Sequence, residues 1–154
     1  LRGAGKVTYP PLLNLANEAA YRVHFETTYC QGPIRTFDGI EVRFRKSDFD
    51  HCCFESSRRN GVKNKFSPKR AARLDWIKAA LEDPSSERYQ GWDKNRKRHD
   101  PNRRVTLVMG NYVVVIAIKG QNQADFVTAY VADTAGRPGR ASTVDKIRRS
   151  PRCA

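Results

Sequence analysis

The sequence predicts an α+β domain in which helices pack on a mainly antiparallel sheet. Three features lead there: two stretches with apolar residues at helical spacing, an Asp-Gly hairpin signal between them, and a run of strand-like segments in the second half. At 154 residues the chain is long enough for one compact core with some peripheral extension.

Past Pro10 and Pro11, the residues Leu12, Leu15, Ala16, Ala19, Ala20 and Val23 fall at helical spacing and predict an amphipathic helix over 12–25. Ile34 to Phe37, Asp38-Gly39 and Ile40 to Arg45 read as a hairpin, because Asp-Gly accepts the positive φ of tight hairpin turns. On its second strand Ile40, Val42 and Phe44 share one face and Glu41, Arg43 and Arg45 the other. A short helical segment over 48–55 carries His51, and the stretch from Ser56 to Lys65 is a solvated basic loop. Ser67-Pro68 then supplies a cap and a first-turn proline for a helix whose Leu74, Ile77 and Leu81 form one stripe, widened by Trp76 and Ala80. Asp83-Pro84 closes it.

Residues 85–104 are polar and crowded with cations, and are expected to stay out of any core. Val105 to Met109, a Gly110-Asn111 turn, Tyr112 to Ile118, and Phe126 to Val131 read as three strands. The middle one is apolar on both faces, as a central strand covered on both sides would be. On the last, alternation groups Phe126, Thr128 and Tyr130 against Val127, Ala129 and Val131. From Ala135 onward Gly136, Pro138, Gly139 and a basic finish predict loose order. The chain thus divides into a helical lead-in (1–33), a core (34–133) and a basic tail (134–154).

Lys and Arg total 29 against 16 Asp and Glu, a formal net charge of +13, which points to a polyanionic partner. Nucleic acid fits better than membrane, since no long apolar run occurs. Cys30, Cys52, Cys53 and Cys153 lack the paired spacing of a zinc site; free thiols in a reducing compartment are expected, with one long-range bridge as the alternative. No phosphate-binding loop, dinucleotide glycine pattern, His-Glu-x-x-His or Gly-x-Ser-x-Gly is present, and no cofactor is expected. No signal peptide opens the chain, and its start at Leu1 is what a piece of a longer polypeptide would show.

Cutting RNA without a metal requires a base for the ribose 2′-hydroxyl proton, an acid for the leaving 5′-oxygen, and cations for the phosphoryl oxygens. His51 is the candidate acid or base, because imidazole as a side-chain type both takes and gives protons near neutral pH. Glu55 is its candidate partner, Arg98 a candidate stabiliser of the phosphoryl group, and Thr128 a candidate phosphate donor. Tyr89 and Trp92, set among cations, suit base stacking, while Arg58, Arg59, Lys63, Lys69, Arg70 and Arg96 would hold the backbone. Each has a plainer alternative: His51 as a surface residue, Thr128 as an ordinary strand former, His99 as part of a solvated basic run. A non-catalytic RNA- or DNA-binding module, or a basic phage-particle component, would use the same cations.

A hairpin leading to Phe49-Asp-His51, a helix ending in Ala-Leu-Glu-Asp-Pro84, a basic stretch through Arg96 and Arg98, and Tyr112-Val-Val-Val-Ile116 followed by Phe126-Val-Thr-Ala-Tyr130 together resemble one nuclease group. These are the phage-associated nucleases related to barnase, EndoU, colicin-type RNases and RelE, found at the ends of phage head-morphogenesis and polymorphic-toxin proteins. The resemblance spans residues 34–133. It implies a barnase/EndoU/RelE-like fold and a metal-independent endoribonuclease toxin in which His51, a basic side chain and Thr128 meet in one cleft. It also implies an RNA substrate (tRNA, mRNA or rRNA) cut in the cytoplasm after delivery within a larger secreted or phage-borne polypeptide. An acidic immunity or antitoxin protein would match the basic cleft. The second histidine usual in these nucleases is missing, since Cys52-Cys-Phe-Glu55 follows His51, which leaves the division of acid and base work open.

Overall fold

The computed structural model describes residues 7–56 and 63–153; Arg58 and Arg59 lie outside the described residues. The first helix, α1 (Glu18–Tyr29), starts where Asn17 caps it: Asn17 Oδ1 accepts the Ala20 N–H at 2.9 Å, and Glu18 complements the positive helix end. Its buried face is Tyr21, Phe25 and Tyr29. The helix expected over 12–25 is therefore displaced and turned, with Leu12 and Val23 exposed. An aromatic every fourth residue buries far more apolar surface than the alanine-rich stripe, and that decides which side faces inward.

The hairpin forms as expected. β1 (Ile34–Arg35) pairs antiparallel with β2 (Glu41–Arg43), Gly39 takes φ +88°, and Thr36 Oγ1 accepts the Ile40 N–H. Next come α2 (Asp48–Cys53), a ribbon of β3 (Phe54–Glu55) and β4 (Lys65–Phe66), then α3 (Pro68–Ala71) and α4 (Leu74–Glu82). The helix predicted after Ser67-Pro68 is thus two pieces, with Ser67 capping the first through Arg70 N–H and with Leu74, Ile77 and Leu81 buried in the second.

Residues 85–104 depart from their reading. β5 (Glu87–Asp93) pairs along β6 (Arg98–Val108), so the cationic stretch is a hairpin arm of the sheet. An edge strand needs only a narrow buried face, and here Tyr89 supplies it, being 4% exposed. β7 (Tyr112–Gly120) and β8 (Gln123–Val131) complete a sheet of order β1-β2-β8-β7-β6-β5, antiparallel except for the parallel β2–β8 pair. The α+β class of helices on a mainly antiparallel sheet therefore holds.

As its two apolar faces predict, β7 lies inside the sheet and feeds two cores. Tyr112, Val114 and Ile116 pack with α1, α2 and α4 through Phe25, Tyr29, Phe49 and Leu74, while Phe44 stacks on Phe126 at 4.7 Å. Val113 and Val115 point the other way, with Tyr89 and Leu107, under Val144 and Ile147 of α5 (Thr143–Arg148). This corrects the loosely ordered tail. Ser142 caps α5, Arg148 grips the Glu87 carboxylate with two bonds of 3.1 Å, and Gln90 N–H donates to Pro151 O at 2.8 Å. Val144 and Ile147 sit three residues apart, a short apolar side hidden by the surrounding charges.

β8 also carries a bulge: Val115 pairs Thr128 while Ile116 pairs Phe126, leaving Val127 extra. Strict alternation fails there. Phe126 and Ala129 enter the helix-covered core, while Thr128 and Tyr130 turn to the opposite face.

Candidate functional site

α2 packs against β8, and the junction is made by a backbone carbonyl. Thr128 Oγ1 donates to His51 O at 2.8 Å, the Lys63 ammonium donates to the same oxygen, and Lys63 Nζ also reaches Thr128 Oγ1 at 3.5 Å. His51 lies in the last turn of α2 with its side chain 58% exposed. The helix end that carries the imidazole is thereby tied to the bulged strand directly by Thr128 and indirectly through Lys63, while the ring stays open to solvent.

The bulge makes this possible, because it turns Thr128 away from the core that Phe126 enters. The same hydroxyl cannot serve two acceptors. A threonine has one O–H proton, and in this arrangement it goes to His51 O, so the Thr128 hydroxyl has none left to donate to a phosphate.

Lys63 is unusual among the cations. Desolvation of its ammonium and, next, the positive charge of Arg70 push its pKa down, an effect that the neighbouring thiols of Cys52 and Cys53 only partly offset. Arg70 is anchored by donating to Phe54 O at 3.2 Å. Lys63, read as a solvated loop cation, keeps an exposed side chain and also joins Thr128 at His51 O. The four cysteines are free thiols, with Cys52 and Cys53 on the buried side of α2 and Cys52 raised well above the ordinary thiol range by burial.

Beside Thr128, on the face opposite α1 and α4, runs a groove of about 270 Å³. Its walls include Trp92, Arg103, Thr128, Tyr130 and, from α5, Lys146 and Ile147. Arg103 lies across Gly91 so closely that a Cβ on Gly91 would meet Arg103 Cγ at 2.5 Å. A glycine here keeps the arginine stem flat on the strand. Trp92 is 51% exposed, and its ring meets that of its cross-strand partner His99 edge-on at 5.1 Å. Burial raises the Tyr130 hydroxyl, opposed by Arg70 and then Arg103, which puts both guanidinium groups within electrostatic reach of the groove floor.

The other residues singled out from sequence scatter. Glu55 is exposed on β3 opposite Lys65, and the carboxylate 4.0 Å from the His51 imidazole is Asp48 instead. Arg98 and Arg96 lie at the far end of the β5–β6 arm, where Asp93 pairs with Arg98 in register and holds Arg96 at 3.8 Å. Lys69 is exposed on α3. Tyr89, read as a stacking platform, is buried under the tail, its hydroxyl donating to Glu87 and its ring capped by Arg152 at 5.2 Å, so it presents no face to a base. Arg103 and Lys146 carry no sequence signal strong enough to single them out. Arg103 is hidden in a run of arginines, and the only hint is its alternation with Val105 and Leu107 along a strand.

Among the described residues no three His, Cys, Asp or Glu side chains converge as a metal site, and no helix is long and apolar enough to cross a membrane. No protein family, curated protein or solved structure matches this chain.

Proposed function

We propose that this chain is a metal-independent endoribonuclease domain of barnase/EndoU/RelE-like fold. The observation that carries this reading is the pair of hydrogen bonds that His51 O accepts from Thr128 and Lys63, which joins the residue bearing an exposed imidazole, His51, to an ammonium whose pKa is pushed down, Lys63, and to Thr128 of the basic groove.

In the reaction, one of these two groups takes the ribose 2′-hydroxyl proton. The 2′-oxygen then attacks the adjacent phosphorus, the bond from phosphorus to the 5′-oxygen breaks, and the other group protonates that oxygen. The products are a 2′,3′-cyclic phosphate and a free 5′-hydroxyl. Lys63, with its pKa pushed down, gives up a proton more readily than an ordinary lysine, which suits it to protonating the leaving oxygen while His51 acts as base. Arg103 on the groove wall, with Arg70 in electrostatic reach of Tyr130, supplies positive charge for the phosphoryl oxygens, and Trp92 offers an exposed face to an unpaired base. Arg98, at the arm tip, steers RNA in this scheme rather than touching the reacting phosphate. The substrate is cellular RNA in the cytoplasm, reached as part of a delivered toxin polypeptide, and an acidic immunity protein would cover the groove.

The test is incubation of the chain with total RNA in excess EDTA beside His51→Ala and Lys63→Met. Cleavage by the parent, with loss of at least about 100-fold in each variant, fits the usual size of acid–base catalysis. Salt-sensitive binding with no product from any of the three would leave the non-catalytic binding module in its place.

A further inference from the structure

Two grooves flank α5, and they share a wall. The first is the groove of Trp92, Arg103 and Thr128; the second, of about 300 Å³, is lined by Asp133, Gly136, Arg137, Arg140 and Thr143, and Lys146 belongs to both.

The second groove is built rather than merely lined by tail residues. Arg137 and Arg140 exchange both backbone hydrogen bonds, at 2.9 and 2.8 Å, across a tight turn in which Gly139 takes φ +73°. Gly136 lies so near that a Cβ there would be 2.6 Å from Arg140 O. The two arginine stems therefore leave a fixed turn. The carboxylate on that wall, Asp133, already accepts the Thr143 N–H at 2.5 Å, and no ion pair among the described residues involves Arg137, Arg140 or Lys146. Three cations against one occupied carboxylate leave net positive charge facing solvent.

We propose that the two grooves form one continuous track for the backbone of single-stranded RNA, in which Arg137, Arg140 and Lys146 bind a phosphate stretch beyond the cleaved bond. This rests on the ribonuclease reading and extends it to a substrate class. Narrow concavities on either side of a short helix admit a flexible strand, whereas an A-form duplex is rigid and offers a broad, shallow minor groove. The exposed Trp92 face at one end of the track suits an unstacked base, which a duplex does not present.

The test uses the full chain and its Arg137→Gln/Arg140→Gln variant. Binding is read by fluorescence anisotropy on uncleavable 2′-O-methyl RNA of about ten nucleotides, within the usual range for single-strand tracks, and cleavage on a dinucleotide and on a strand of that length. For a single strand, the slope of log affinity against log salt falls by about 0.7 for every phosphate that the protein ceases to neutralise, so the variant slope should be shallower by about 1.4. The parent should prefer the long substrate over the dinucleotide in kcat/KM, the variant should lose that preference, and dinucleotide cleavage should match in both. Equal salt slopes, an equal length preference, or tighter parental binding to a duplex of the same length would overturn the track. If neither protein cuts any RNA while the slopes still differ, the ribonuclease reading falls and the track stands as a binding site.

Discussion

Replacing Thr128 by Val separates positioning from folding at the proposed site. Valine keeps the volume and branching of threonine and suits a strand, so the substitution removes one interaction, the 2.8 Å bond to His51 O. A neutral hydrogen bond contributes about 0.5–1.5 kcal/mol net, and His51 O keeps the Lys63 ammonium, so no buried acceptor is orphaned. The stability loss is therefore about 1 kcal/mol, which for a chain of this length lowers Tm by about 2–4 °C. Such a protein stays folded at 25 °C, yet α2 loses one of its two ties. A misplacement of about 1 Å costs on the order of 100-fold in rate, so kcat should fall about 10- to 100-fold with KM nearly unchanged. Thermal melts and steady-state cleavage of a fluorogenic RNA read the two effects, and Thr128→Ser, which restores the hydroxyl, should recover most of kcat. Parental kcat in the valine variant alongside the expected Tm shift would refute the positioning role, as would a serine variant no better than valine.

Two further outcomes follow from the geometry. Gly91→Ala places a Cβ 2.5 Å from Arg103 Cγ, so the arginine must leave the groove wall; RNA binding should weaken and its salt slope should become shallower by about 0.7, with Arg103→Gln giving the same change. The Glu87 carboxyl is held below the ordinary carboxylate range, first by the Arg148 hydrogen bonds, against an opposing effect of burial, and then by the Tyr89 hydroxyl. Its contribution to stability is thus present above the unfolded carboxylate pKa and is lost as pH falls through the lowered folded value. With both partners over a third exposed at their side chains, the contribution is at most about 1 kcal/mol, and hydrogen-exchange protection across 143–150, taken relative to intrinsic exchange at each pH, should fall on acidification in the parent but show no such fall in Glu87→Gln.

The parts of this fold legible in the sequence are those where one local signal dominates. Asp38-Gly39 sets the hairpin because few residue pairs accept its turn, and Tyr112 to Ile118 announces an inner strand because neither face offers a polar row. Other parts depend on partners distant in the chain. β5 has little strand character of its own and is recruited by β6, and α5 docks because Val144 and Ile147 meet an apolar sheet face that no local window contains. The face assignment on β8 fails at a single inserted residue, Val127, which no alternation pattern reveals. At the site, His51, Lys63, Arg70 and Thr128 can be picked out by residue type, but their meeting through one carbonyl oxygen cannot, since that bond joins residues 77 positions apart.

The proposed mechanism requires the ribose 2′-oxygen to be the nucleophile. The direct measurement is cleavage, in EDTA, of an oligodeoxynucleotide holding one ribonucleotide, beside the same strand with that sugar replaced by its 2′-deoxy form. The mechanism predicts a single cut at the ribonucleotide, leaving a 2′,3′-cyclic phosphate and a 5′-hydroxyl, and an intact 2′-deoxy strand. Equal cutting of both strands, or products ending in a 5′-phosphate, would contradict it.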